Sequence, residues 1–119
     1  MLYVELKIGN EVYKLRLNTR TSIQLEKNLG RNPVSMLMDM ADGNILPKRT
    51  DIVLMLQSML QIYHHGFNLE KTMDLYDDYL AEGNNDFNMI PIFTEVFQLA
   101  GYISKDNANN ENNEEDVKN

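Results

Sequence analysis

The sequence predicts an α+β fold, mostly α, in which an N-terminal β-hairpin packs on four to five helices. Three observations carry that prediction. Apolar residues alternate with polar ones over the first residues, and from Ile23 onward they recur at helical spacing. Gly9, Gly30, Gly43, Gly66, Gly83 and Gly101 each fall where a periodic segment stops. The 119 residues are 43% hydrophobic and 24% charged, which is ordinary globular usage and speaks against a wholly disordered chain.

The hairpin is read first. Leu2, Val4, Leu6 and Ile8 alternate with Tyr3, Glu5 and Lys7, the period of a half-buried strand. Gly9-Asn10 supplies turn residues that accept positive φ. Val12 to Leu17 then return, with Tyr13, Leu15 and Leu17 on one face. Two strands alone are marginal in water, so that face must rest on helices.

Thr21-Ser22-Ile23-Gln24 has the spacing of a capping box, with Asn18 or Thr19 as alternative caps one turn earlier; Ile23, Leu25 and Leu29 follow, and Gly30 closes the helix. Asn32-Pro33 opens a second helix carrying Val34, Met36, Leu37, Met38 and Met40, which Asp42-Gly43-Asn44 breaks. Ile45-Leu46-Pro47 is expected to be extended. Thr50 or Asp51 should cap a third helix, apolar at 52, 55, 56, 59, 60 and 63 and nearly all round, hence central, with Gly66 as its end. Asn68 caps a fourth, Leu69 to Glu82, with Leu69, Met73, Tyr76 and Leu80 on one side. Asp86 or Asn88 opens a fifth, where Pro91 is tolerable in the first turn and Met89, Phe93, Val96, Phe97 and Ala100 face inward.

Composition changes after Ile103. Residues 104–119 hold six Asn and five acids, with Ala108 and Val117 as the apolar members, too little to offset backbone ordering of roughly 1–2 kcal/mol per residue. The expected organisation is a single globular domain over 1–103 and a disordered acidic tail over 104–119.

Several chemistries are excluded or made unlikely by composition. With no cysteine there is no disulfide framework, thiol catalysis or cysteine zinc site. A net charge of −7 speaks against nucleic acid or an anionic membrane face as partner. Glu5 interrupts any signal-peptide run. The charge-free stretch Ile52 to Leu69 is broken by Gln57, Ser58, Gln61, His64, His65 and Asn68, as a membrane span would not be. A cytosolic protein is expected.

Adjacent His64 and His65 point about 100° apart on a helix and cannot jointly hold one metal, so they are read as interacting with the helix C-terminus. No calcium loop, phosphate-binding glycine loop or nucleophile elbow is present, so neither a cofactor nor an enzymatic activity is expected.

Two features point to binding. Glu70, Asp74, Asp77, Asp78 and Glu82 recur at spacings of three and four, stacking along one helix face. A solvated outer face would suffice to explain them, but residues 1–49 sum to +3 and residues 50–103 to −7, a polarity able to steer a basic partner or a second copy of the chain. Methionine is the other signal. Met36, Met38 and Met40 alternate, and since a helix turns about 200° between i and i+2, the three cannot share one core. At least one should be exposed or covered by a partner, whereas Met55, Met59 and Met73 read as core.

These segments together resemble the tail assembly chaperones of long-tailed phages and prophages of Gram-positive bacteria. The likeness lies in the opening hairpin, in Leu25-Glu26-Lys27-Asn28-Leu29-Gly30-Arg31-Asn32-Pro33, in Tyr63-His64-His65-Gly66, and from Ile90-Pro91 through Glu95-Val96-Phe97-Gln98 to Gly101-Tyr102. It implies a non-enzymatic protein of the host bacterial cytoplasm, absent from the mature virion. Such a protein would bind the tape-measure protein, the tail-tube protein or both before the tail polymerises. On that reading Met36, Met38 and Met40 form an adaptable apolar strip, while Glu70, Asp74, Asp77, Asp78 and Glu82 maintain solubility or recognise basic clients. The competing reading is an acidic interaction or regulatory module that binds a basic, for example DNA-binding, protein.

Overall fold

The structure, a computed structural model, describes residues 2–43, 46 and 48–104. The chain runs β1 (Val4–Ile8), β2 (Glu11–Leu15), α1 (Thr19–Leu29), α2 (Pro33–Ala41), α3 (Arg49–Leu60), α4 (Leu69–Ala81), a 3₁₀ turn (Asp86–Asn88) and α5 (Met89–Ala100). This is the α+β, mostly α architecture expected. Of the segments read from sequence, Asn44, Ile45 and Pro47 and the tail from Lys105 lie outside the described residues.

The strands pair antiparallel in the register Val4↔Leu15, Leu6↔Tyr13 and Ile8↔Glu11, which leaves Gly9-Asn10 as a two-residue loop. Gly9 takes a φ of 64° there. Val4, Leu6, Ile8, Leu15 and Leu17 are buried. Alternation at period two thus delivers one face of the hairpin to the helices.

A two-stranded sheet has two edges, and both are engaged. On one side the N–H groups of Lys14 in β2 and of Arg16 just past its end, two residues apart, donate to His64 Nε2 at 2.9 Å and to the Met59 carbonyl at 2.9 Å. On the other side the Gly9 N–H donates to the Glu82 carboxylate. Satisfying edge groups in this way removes sites for unwanted strand pairing.

Helix ends follow the sequence with shifts. Asn18, not Thr21, caps α1: its Oδ1 accepts from the Thr21 N–H, and Thr21 Oγ1 accepts from the Asn18 N–H. Thr21 is therefore the far member of the box, because the hairpin ends early enough for the helix to start a turn sooner. Asn32 and Asn68 cap α2 and α4 as expected. Lys48 precedes α3 without a side-chain cap, so neither Thr50 nor Asp51 has that role; Asp51 sits in the first turn, where its charge favours the dipole. The third helix also stops at Leu60, well before Gly66, because the chain must bend there for His64 to reach β2. Asn85 and Asn88 cap each other across the 3₁₀ turn that leads into α5.

The core lies where α3 meets everything else. Met55, Leu56, Met59 and Leu60 of α3 pack with Leu25, Met89, Phe93, Val96 and Phe97 and with the inner face of the hairpin. A helix apolar nearly all round is buried on most sides, as its sequence requires.

A candidate protein-binding groove

The fourth helix turns differently from the reading above. Thr72, Leu75, Tyr76 and Tyr79 are its buried residues, while Leu69 and Met73 are 42% and 45% exposed. Tyr76 is shared by both readings, but Leu69 and Met73 are not core. Bulk decides the rotation: placing Leu75 and Tyr79 inside beside Tyr76 lets the two rings stack at 5.7 Å, and Leu69 and Met73 are turned outward in exchange. Thr72 can be buried because its hydroxyl donates to the Asn68 carbonyl at 2.8 Å.

The displaced pair becomes a wall of a groove. Its volume is 420 Å³, and it is an open trough bounded by Thr50, Val53 and Leu54 of α3 and by Leu69, Met73 and Asp77 of α4, with Tyr76 and Arg49 completing the lining. One end is braced. Arg49 Nε and Nη2 both donate to the Asp86 carboxylate at 3.3 Å, and the Tyr76 hydroxyl donates to the same carboxylate at 2.6 Å. Burial, reinforced by that hydrogen bond, raises the Tyr76 phenol well above its ordinary value, so it stays neutral at physiological pH. The bond to Asp86 likewise raises the Arg49 guanidinium.

Glu70, Asp74, Asp77 and Asp78 are exposed along the next face of α4, and Asp77 reaches the groove itself. Glu82, the last of the acids grouped from sequence, is also exposed but accepts from the Gly9 N–H. It therefore ties α4 to the hairpin. An acid at a helix C-terminus opposes the dipole, and this hydrogen bond is the compensation.

The methionine strip separates as helix geometry demands. Met38 is 62% exposed, while Met36 and Met40 are 5% and 6% exposed and belong to the core. One side chain is not a strip. Met36 and Met40 also border a smaller hollow of 180 Å³, across whose lining Arg31 and Asp39 pair at 2.9 Å.

His64 serves the hairpin rather than the carbonyls of its own helix. Its Nε2 accepts from Lys14, and its ring packs edge-on with Tyr13 and Phe67 at centroid separations of 5.4 and 6.3 Å. With that lone pair committed, the imidazole is neutral with its proton on Nδ1. His65 is exposed. Among the described residues, no group of three or more His, Asp or Glu is placed to hold a metal ion, and no helix is long and apolar enough to cross a membrane.

Sequence reasoning missed Leu69 and Met73 as exposed residues and Val53 and Leu54 as the facing wall. The available signal was the width of the apolar arc on α4, which holds Leu69, Met73, Leu75, Tyr76, Tyr79 and Leu80 and exceeds what one core face can cover.

Fold and groove together make a small hairpin-and-helix protein with an apolar trough beside an acidic ridge. Residues 4–118 match the model of a family of unknown function, DUF6096, and the chain belongs to that family. No curated protein and no solved structure matches it.

Proposed function

We propose that the chain is a non-enzymatic tail assembly chaperone of a phage or prophage. It binds the tape-measure protein, the tail-tube protein or both in the host cytoplasm before the tail polymerises, and it is left out of the virion. The carrying observation is the pair Leu69 and Met73, each more than two-fifths exposed on a wall of the α3–α4 groove. Unassembled tail proteins with apolar stripes need temporary cover, and an open trough with an adaptable methionine supplies it without a deep, slow-releasing pocket. Two of the four segments behind the chaperone resemblance occupy joints of the fold. Leu25 to Pro33 span the α1–α2 corner, and Tyr63 to Gly66 join α3 to the hairpin. They support a shared scaffold, while client contact is assigned to the groove.

The test is co-expression with the tape-measure and tail-tube proteins of the same phage or prophage. Stoichiometric co-purification and suppressed client aggregation are expected; no association with either sinks the reading. A tail-tube gene upstream and a very long tape-measure gene downstream would support it further. The exposed ridge of Glu70, Asp74, Asp77 and Asp78 favours the second reading, an acidic module for a basic protein. That reading requires binding that weakens steeply with salt and ignores Leu69 and Met73.

A further inference from the structure

Side chains sort into three bands around α4, taking about 100° per residue. Thr72, Leu75, Tyr76 and Tyr79 face the core. Leu69, Met73 and Leu80 come next, then Asp77, Glu70 and Asp74, while Asp78 lies beyond them, beside Lys71 and on the side towards Tyr13 of β2. Across the trough, α3 offers Thr50, Val53 and Leu54, and the cation in the lining, Arg49, is held by Asp86. Lys71 is the single Lys or Arg in residues 50–103, and its position on the helix lies opposite the trough. The groove is thus apolar along its length and acidic along one flank.

We propose that this groove docks an amphipathic α-helix of another polypeptide. The helix lays apolar side chains spaced i, i+4 and i+7 between α3 and α4 and carries Lys or Arg on the flank that meets Glu70, Asp74 and Asp77. This deepens the chaperone reading, on which it rests, by naming the kind of client segment.

Three lines of evidence support that occupant. Leu69, Met73 and Asp77 rise along α4 by about 12 Å, just over two helical turns, which matches anchors at those spacings. Both walls are helices whose backbone groups are bonded internally, so an added strand would find no ladder to join, whereas a helix needs only side-chain contact. Acid on one flank alone favours a basic segment and sets which way it lies. The chain's own residues 105–119, with five acids against two Lys, have the wrong sign for that flank.

The experiment titrates the full-length protein against labelled peptides of about 18 residues, long enough to hold a helix. One peptide has a Leu stripe flanked by Lys, a second has Glu in place of Lys, and a third has the stripe changed to Ser. Fluorescence anisotropy is expected to show binding of the first, with the other two about tenfold weaker or worse. The pair Leu69→Ser and Met73→Ser should weaken the first peptide by about tenfold, and Asp74→Asn with Asp77→Asn should weaken it several-fold and flatten its salt dependence. Both pairs alter exposed positions, so circular dichroism and Tm should stay at wild-type values, and Met38→Ser should leave binding unchanged.

Equal binding of the Lys and Glu peptides overturns the proposal, as does binding indifferent to Leu69→Ser and Met73→Ser. A concentration-dependent dimer that these two substitutions dissolve also overturns it, in favour of a second copy as occupant. Tail-protein co-purification that survives the double substitution sinks the groove and spares the chaperone reading. Peptide binding with no tail protein captured does the reverse.

Discussion

His64 and Lys14 are fifty residues apart in sequence, yet the imidazole Nε2 accepts the Lys14 backbone N–H at 2.9 Å. The contact closes the outer edge of β2 against the end of α3 and works only while the imidazole is neutral. Desolvation, then the charges of Lys14 and His65, hold the His64 pKa below its ordinary value of 6.5.

Stability should therefore fall on acidification. The unfolded chain takes up the His64 proton near pH 6.5, and the folded chain does so only at lower pH. The contribution is complete above that value and is lost as pH drops through the folded pKa. Chemical denaturation at pH 7.5, 6.5 and 5.5 should show the decline, and His64→Gln, which keeps an acceptor but cannot titrate, should show a shallower one.

Methionine substitutions on α2 should split by burial. Met36→Ala and Met40→Ala are each expected to cost about 2–5 kcal/mol, as core truncations do, and Met38→Ala less than about 0.5 kcal/mol. Urea unfolding of the three single variants measures this. Equal effects would contradict the orientation of α2.

Asp86 joins three elements, so Asp86→Ala should destabilise more than Arg49→Ala. Loss of the carboxylate strands the buried Tyr76 hydroxyl, at about 1–3 kcal/mol, whereas Arg49 is exposed and its loss leaves the Tyr76–Asp86 bond intact. Tyr76→Phe should fall between them. Thermal melts rank the three.

Gly9→Ala should cost about 1–2 kcal/mol through backbone strain alone, since φ is 64° and an added Cβ would meet nothing nearer than the Glu82 carboxylate at 4.0 Å. Gly9→Asn should cost less. If the two are equal in denaturant midpoint, the loop does not hold that conformation.

What the sequence by itself determined was the set of elements and most faces. The hairpin follows from period-two alternation around Gly9-Asn10, the inner face of α5 from Met89, Phe93, Val96 and Phe97, and the caps of α2 and α4 from Asn32 and Asn68. These are local matters, settled by backbone geometry within a few residues. The even spacing of Met36, Met38 and Met40 likewise required one of them to leave the core, but it did not say which. Packing chose Met38, because Met36 and Met40 lie on the side with Leu37 that meets the other helices.

Tertiary structure alone decided the rotation of α4 and the early end of α3. For α4 the sequence offers an apolar arc wider than one core face, and for α3 it offers Gly66 as the stop, six residues beyond the observed end at Leu60. The choice fell to what the rest of the molecule could cover: two stacked tyrosines inside, and a histidine bonded to a strand fifty residues away. A groove is the surface left over after that competition, and no local pattern encodes it, because its walls come from helices whose facing sides are set only when both have packed.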